Sequence, residues 1–251
     1  MLNRFTIHVG CNTFKIPGND LRGCLNDARL MDKVLTERLG EPVDRVFLEN
    51  PAKQQVVAAW QQAAAAVRSG RCNYVTASFS THGIVIESNR PSNFVQALVF
   101  SDADRNGNGL LLDTEFRDLI DAIPQGVRVL IWLDACHSRT GTRSLGAVTH
   151  QMKPRSLGNP DFMRGIHTIE RSALDTTDPD TVVAAACDDP EEAADALIPL
   201  AGDMFYGAYT WYWCQAFRRN PDASHRTLCA LTTDSLAANG FNRQHPQLSE
   251  Q

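Results

Sequence analysis

The chain has 251 residues, which is enough for one domain with a sizeable hydrophobic core. Its formal net charge of -5 argues against a nucleic-acid-binding surface. The sequence contains no run of about 18 apolar residues, so we expect no membrane span. The seven cysteines are scattered without a C-x-x-C pair, which favours reduced thiols in a cytoplasmic protein over disulfides or a zinc site. The first ten residues hold no long apolar run before a charge, so we expect no secretory signal.

The hydrophobic pattern alternates between strands and helices along the chain. This alternation predicts an α/β fold in which a mostly parallel sheet carries helices on both faces. The predicted strands cover residues 5–11, 45–48, 73–80, 94–100, 127–133 and 181–187, and the predicted helices cover residues 21–39, 53–67, 113–122, 204–217 and 226–239.

Reactive side chains follow two of the predicted strands. Residues 127–133 form an apolar run that leads into Asp134 and Cys136, and residues 73–80 lead into His82. Sites in open α/β sheets form outside the carboxyl ends of the strands. If these two strands are parallel neighbours, the thiol and the imidazole face each other, which is the nucleophile-and-base arrangement of cysteine proteases.

Five segments of the chain resemble, in order, the motifs of metacaspases and bacterial caspase-like peptidases. The histidine motif and the cysteine motif place His82 and Cys136 54 positions apart. The resemblance implies the three-layer α/β caspase–hemoglobinase fold over residues 1–251 and a cysteine endopeptidase activity. The segments are LRGCLNDARLM (21–31), SFSTHG (78–83), LDACHS (133–138), VVAAACDDPEEAADA (182–196) and FNRQHPQLS (241–249).

The resemblance also implies a role for individual residues. His82 would be the base and Cys136 the nucleophile, while the backbone N–H groups of Gly83 and Cys136 would stabilise the oxyanion. In such enzymes the S1 pocket receives the side chain of P1, the residue before the bond that is cut. The acids among the matching S1 positions predict Arg or Lys at P1. The S1 positions are Cys24, Asp27, Ser80 and Asp134.

The residues alone leave other interpretations open. A free cysteine is often only a small buried hydrophobe. Cys24 and Asp27 fit an ordinary helix face, and Asp134 could do no more than brace the end of its strand. The sequence departs from the family pattern at Thr81 and Arg139, beside the two reactive positions. The alternative function is a catalytically silent binding or signalling module on the same fold, with a response to calcium.

Residues 104–115 satisfy the pattern of an EF-hand calcium loop, D-x-[DN]-x-[DN]-G-x5-E. The alternative is a surface turn rich in Asn and Gly, because no helix is predicted before the loop. The proposed chemistry requires no cofactor, so calcium would act as an activator. The predicted ligands are Asp104, Asn106, Asn108, Asp113 and Glu115.

The stretch from residue 139 to residue 180 has weak periodicity and is far longer than the roughly 12–15 residues beyond which structureless loops are uncommon. We predict that it is a regulatory or processing loop and the site of any self-cleavage. We expect protein substrates, a regulatory protein partner and a monomeric state in isolation. The basic residues of this stretch are Arg139, Arg143, Lys153, Arg155, Arg164 and Arg171.

Overall fold

The predicted alternation folds as a central sheet with helices on both faces. We describe the fold from a computed structural model, which covers residues 3–87, 94–135, 152–157, 180–187, 191 and 193–249. The strands are β1 (Arg4–Gly10), β2 (Asp44–Glu49), β3 (Tyr74–Ser80), β4 (His82–Glu87), β5 (Phe94–Val99), β6 (Leu110–Leu112), β7 (Arg128–Asp134), β8 (Met152–Pro154), β9 (Thr181–Ala185), β10 (Ala194–Ile198), β11 (Met204–Gly207) and β12 (Gln247–Ser249). The helices are α1 (Cys24–Leu39), α2 (Lys53–Arg68), α3 (Asp113–Asp121), α4 (Ala208–Arg219) and α5 (His225–Ala238), with a short 3-10 turn at Pro199–Ala201.

The central sheet has six strands in the order β12-β9-β7-β3-β1-β2. The pairs from β9 to β2 are parallel, and β12 is antiparallel at the edge. The register between β3 and β7 runs from Tyr74 opposite Arg128 to Ser80 opposite Asp134. The two strands that precede the reactive positions are therefore parallel neighbours, which is the condition that the site hypothesis required.

Two apolar clusters hold the helices on opposite faces of this sheet. On one face, Trp60 of α2 and Phe116 of α3 pack with their ring centroids 5.5 Å apart. On the other face, Met31 of α1 lies in the same cluster as Trp132 of β7 and Trp213 of α4. Removal of this apolar surface from water is the main stabilising contribution to folding.

Two small antiparallel sheets lie beside the central sheet. One has the order β4-β5-β6, and the other has the order β11-β10-β8. Only one residue, Thr81, separates the end of β3 from the start of β4. The chain therefore passes from the central sheet to this small sheet directly before His82, the first residue of β4.

Three of the sequence predictions need correction. The helix predicted over residues 204–217 begins only at Ala208, because Met204–Gly207 forms β11 and pairs with β10. The helix predicted from residue 21 begins at Cys24. The stretch 139–180, predicted without regular structure, contains β8, because a short segment gains strand structure from a partner that is distant in sequence. Among the described residues, none of the helices is long and apolar enough to cross a membrane.

Candidate active site

Three aspartates from distant parts of the chain converge on the guanidinium of Arg155. Asp27 comes from α1, Asp134 from the end of β7 and Asp195 from β10. Arg155 Nη2 lies 2.6 Å from Asp27 Oδ2 and 2.9 Å from Asp195 Oδ1. Arg155 Nη1 lies 3.2 Å from Asp134 Oδ1. All four side chains are at least 98% buried, so these are ion pairs shielded from water. We call this cluster the acidic pocket.

Asp27 is held in place by hydrogen bonds from two other elements. The Ser80 hydroxyl donates to Asp27 Oδ2 at 2.6 Å, and the Gly207 N–H donates to Asp27 Oδ1 at 2.9 Å. Ser80 Oγ also accepts from Arg155 Nη1 at 2.5 Å. The predicted S1 residues Asp27 and Ser80 are therefore in direct contact with each other and with one guanidinium.

Asp134 links the pocket to the start of α4. Its Oδ2 accepts from the Thr210 N–H at 3.0 Å and from the Thr210 hydroxyl at 2.6 Å. Free N–H groups of a first helical turn favour a negative charge, so this contact stabilises both partners. Gly207 is needed for the close approach, because a Cβ there would lie 2.0 Å from Asp134 Oδ2. The carboxylate both braces its strand end and faces the guanidinium.

Asp195 was not among the predicted site residues. Its two carboxylate oxygens accept from the Arg22 and Gly23 N–H groups, each at 2.9 Å. It thereby ties the segment before α1 to β10. The sequence contained a signal for Asp195, since it lies in the VVAAACDDPEEAADA segment that resembles the family motif.

The pocket carries one cation against three acids. Burial raises the pKa of Asp27 to about 7, and Asp134 adds to this effect while Arg155 opposes it. Burial alone would lower the pKa of Arg155, but the surrounding carboxylates reverse this and hold its pKa well above the usual value. The arginine is consequently charged at every relevant pH, and the pocket is built to hold a cation.

Cys24 is the remaining predicted S1 residue. It is fully buried as the first residue of α1, and its N–H donates to Asn12 Oδ1 at 2.9 Å. Burial raises the pKa of the Cys24 thiol, with only partial opposition from Arg155. Its thiol is therefore neutral and lines the pocket as a small side chain.

His82 lies at the first position of β4 and is fully buried. Its Nε2 is 2.6 Å from the Asn19 carbonyl oxygen, which can only accept, so Nε2 carries the proton of the neutral ring. Nδ1 has no hydrogen-bond partner among the described residues and keeps its lone pair. Burial lowers the pKa of His82 to about 4, so the ring is neutral at pH 7. A neutral ring with one free lone pair can accept a proton, and burial makes this ring a weaker base than a free imidazole.

Gly83 follows His82 and contacts the same segment that fills the pocket. Its N–H donates to the Arg155 carbonyl oxygen at 2.9 Å. This N–H is one of the two predicted oxyanion donors. The other predicted donor and the predicted nucleophile belong to Cys136, which lies outside the described residues. In sequence, Cys136 follows Asp134 by two positions, as His82 follows Ser80 in the neighbouring strand.

Several of the residues predicted to bind calcium have partners within the protein. The Asp104 carboxylate accepts from the Asn106 and Asn108 N–H groups within its own turn. Glu115 faces Lys53, with Nζ 2.7 Å from Oε1, and it also accepts from the Leu112 N–H. Asp113 is buried at the start of α3. In the part of the chain that the structure describes, no three His, Cys, Asp or Glu side chains are grouped so as to hold a metal ion.

Comparisons with known proteins show the family to which the chain belongs. The family model described as Peptidase_C14, caspase domain, matches residues 3–251. Metacaspase-9 of Arabidopsis thaliana is 28% identical over 147 residues, covering 54% of this chain and 43% of that protein. Metacaspase-1 of Yarrowia lipolytica is 25% identical over 287 residues, covering 96% of this chain and 60% of that protein. The chain thus spans less than two thirds of the length of these two relatives.

Solved structures share the fold at low sequence identity. A protein from Geobacter sulfurreducens has a TM-score of 0.73 at 19% identity and covers 98% of this chain and 92% of its own. Caspase-1 from Spodoptera frugiperda has a TM-score of 0.63 at 15% identity and covers 99% of this chain and 86% of its own. These likenesses confirm the predicted caspase-type α/β fold.

Proposed function

Because this chain belongs to the caspase domain family, we propose that it is a cysteine endopeptidase that cuts proteins after Arg or Lys. His82 is the base and Cys136 is the nucleophile. The observation that carries the specificity is the acidic pocket, which holds an arginine side chain on Asp27, Asp134 and Asp195. A site that binds one guanidinium in full burial has the chemistry to bind the P1 guanidinium of a substrate.

The proposed chemistry starts with the thiol. A cysteine of ordinary pKa near 8.5 is mostly protonated at neutral pH, so a base must take its proton. Nδ1 of His82 has the free lone pair, and the Asn19 carbonyl fixes the ring through Nε2–H. The same histidine then protonates the leaving amine. The Gly83 N–H stabilises the oxyanion, and such a donor contributes roughly 3–4 kcal/mol in comparable enzymes.

The geometry favours Arg over Lys at P1. The two terminal nitrogens of Arg155 contact different partners, Nη1 at Asp134 and Nη2 at Asp27 and Asp195. A planar guanidinium can satisfy several acceptors at once, whereas an ammonium is a compact point charge on a flexible chain. We therefore expect P1-Arg peptides to be cut faster than P1-Lys peptides.

The alternative of a silent binding module also has an observation in its favour. The pocket is filled by the chain's own Arg155, which is fully buried. A permanently filled pocket would allow no turnover. The predicted regulatory partner and monomeric state stay predictions in either case.

A panel of fluorogenic peptides tests the proposal. The peptides differ only at P1, with Arg, Lys, Gln and Asp, and each is assayed with wild type and with Cys136→Ala. We expect the rate of hydrolysis to be highest for P1-Arg, lower for P1-Lys and lowest for P1-Gln and P1-Asp. Cys136→Ala should hydrolyse none of them. A thiol-reactive P1-Arg peptide should label wild type at Cys136. Equal rates for all four peptides would contradict the acidic-pocket specificity, and absence of both hydrolysis and labelling would favour the silent module.

A further inference from the structure

The segment that carries Arg155 lies in the site as an extended chain bound on two sides. On one side, β8 pairs antiparallel with β10, and the Arg155 N–H donates to the Ala193 carbonyl at 3.0 Å. On the other side, Gly83 N–H donates to the Arg155 carbonyl, and the Leu157 N–H donates to the Gly83 carbonyl at 3.0 Å. Addition of an extended strand to a strand edge is a common way of binding a peptide.

The side chains of this segment fit the same arrangement. Arg155 enters the acidic pocket, while Lys153, two residues earlier, reaches the Gly18 and Asp20 carbonyls at 2.9 and 2.7 Å. Leu157, two residues later, is buried in an apolar cluster with Ile84 and others. The segment therefore has a specific position on both sides of the bond between Arg155 and Ser156.

The partner of the Arg155 carbonyl supports a substrate-like position. Arg155 is fully buried, so its carbonyl needs a hydrogen-bond partner in any case, and it is the identity of that partner that is informative. Here the carbonyl accepts from Gly83, the predicted oxyanion donor. Gly83 directly follows His82 in β4. One residue, Arg155, thus contacts both the acidic pocket through its side chain and the predicted oxyanion donor through its carbonyl.

We propose that Arg155 is bound as the P1 residue of the chain's own substrate segment and that Arg155–Ser156 is the bond that the protein cuts in itself. The proposal rests on the proposed peptidase function, and it narrows the predicted self-cleavage from residues 139–180 to one bond. Until the cut segment leaves, Arg155 excludes the P1 side chain of any other protein from the pocket.

The reaction balances with the residues already assigned. His82 takes the Cys136 proton, and the thiolate sulfur bonds to the Arg155 carbonyl carbon. The bond to the Ser156 nitrogen breaks, and that nitrogen leaves as an amine with the proton from the His82 imidazolium. Water then hydrolyses the thioester to the Arg155 carboxylate. His82 takes one proton of this water and passes it to the departing sulfur, so the step restores the Cys136 thiol and the neutral His82 and releases one proton to solvent.

The test uses the full chain and four variants. Wild type and Arg164→Gln, which alters another basic residue of the same stretch, should give fragments that end at Arg155 and begin at Ser156. Cys136→Ala should stay whole. Arg155→Gln should stay uncut at this bond. It should hydrolyse the P1-Arg peptide at once, whereas we expect wild type to show a lag while it processes itself. Arg155→Lys keeps a cation in the pocket and should be cut at the same bond, more slowly. Intact-mass analysis and peptide mapping read the cut, and the peptide assay reads the activity.

A separate measurement covers the case in which Arg155→Gln fails to fold, since that change leaves three acids without their cation. A synthetic peptide of residues 151–158, QMKPRSLG, should be cut between its Arg and Ser by the processed wild type. Cuts only at other bonds, or wild type that stays whole while hydrolysing P1-Arg peptides at once, would overturn this proposal and leave the proposed function standing. Absence of P1-Arg hydrolysis in every form would overturn the proposed function, and this proposal with it.

Discussion

The acidic pocket and the loop at residues 104–115 both present aspartates, but their surroundings differ. Asp27, Asp134 and Asp195 are buried around a guanidinium, and each receives additional hydrogen bonds. Asp104 lies in a turn whose own N–H groups occupy its oxygens, and these hydrogen bonds, led by that from the Asn108 side chain, lower its pKa.

The difference shows how burial and partners decide what an acid can do. Charges in a buried pocket interact strongly, and removing one partner of such a pair costs roughly 3–5 kcal/mol. Ion pairs at the surface contribute a median of about 0–1 kcal/mol. The three buried acids therefore interact strongly with the one guanidinium that they share. The carboxylate of the turn mainly closes the turn, where Gly109 has a φ of +71° and a Cβ would lie 2.3 Å from Ala103 N.

Substitutions near the acidic pocket and in the 104–115 loop should differ most in their effect on the catalytic rate. His82→Ala removes the proposed base, and general acid–base groups contribute about 10²–10⁴-fold. We expect His82→Ala to lower kcat for a P1-Arg peptide by a factor in that range. Asp104→Asn in the turn should leave kcat within about twofold of wild type, because surface changes of this kind usually alter free energies by less than about 0.5 kcal/mol. Steady-state kinetics measure both. A His82→Ala enzyme with an unchanged rate would place the base elsewhere.

The next largest difference should appear in P1 specificity. Asp134→Asn removes a charge that faces the guanidinium but keeps an oxygen that can accept from Thr210. We expect the ratio of kcat/KM for P1-Arg over P1-Gln peptides to fall about 100-fold or more, given the cost of breaking a buried pair. Asp104→Asn should leave this ratio as it is. If Asp134→Asn lowers the melting temperature and keeps the ratio, then Asp134 only braces its strand end.

Much of this site could be predicted from the sequence because it lies where local patterns are strong. The apolar runs at residues 73–80 and 127–133 predicted two strands, and the matching motifs named Asp27, Ser80 and Asp134. The structure brings those three side chains around one guanidinium. Short motifs were sufficient because each side chain is attached to a regular element whose end is easy to recognise.

The rest depends on contacts between distant segments. Arg155 was one of six basic residues in a stretch of weak periodicity, and only the pairing of β8 with β10 brings it into the pocket. β11 was predicted as the start of a helix, since its strand structure comes from β10 and from the bond between Gly207 and Asp27. Asp195 lay in a matching segment, but its place beside Arg155 and the Arg22 and Gly23 N–H groups follows only from the folded chain.

Asp27 in the acidic pocket and Asp104 in the turn should also contribute differently to the pH dependence of stability. Burial raises the pKa of Asp27 to about 7, so between about pH 4 and pH 7 the folded state binds a proton that the unfolded state has lost. The free energy of unfolding contributed by this group is therefore highest at low pH and falls as pH rises through that window. Asp27→Asn should flatten the slope of urea-measured stability between pH 4 and pH 7.

Asp104→Asn is the matched control for that slope. The pKa of Asp104 is lowered, so its contribution to stability is complete above its ordinary pKa of 3.8 and is lost only as the pH falls below that value. The control should keep the wild-type slope between pH 4 and pH 7. Equal slopes in wild type and Asp27→Asn would contradict a raised pKa at Asp27.

The smallest expected effect concerns calcium at the loop. Calcium there needs Glu115 as a ligand, but Glu115 is held by Lys53 Nζ at 2.7 Å and accepts from the Leu112 N–H. We expect wild type to bind calcium no more tightly than the weak extracellular modules, with a Kd on the order of 10⁻⁴–10⁻³ M. Lys53→Gln frees the carboxylate and should tighten binding several-fold by isothermal titration calorimetry, with magnesium as the control ion, while Glu115→Gln should abolish it. Equal calcium affinity in wild type, Lys53→Gln and Glu115→Gln would mean that any calcium binds away from this loop.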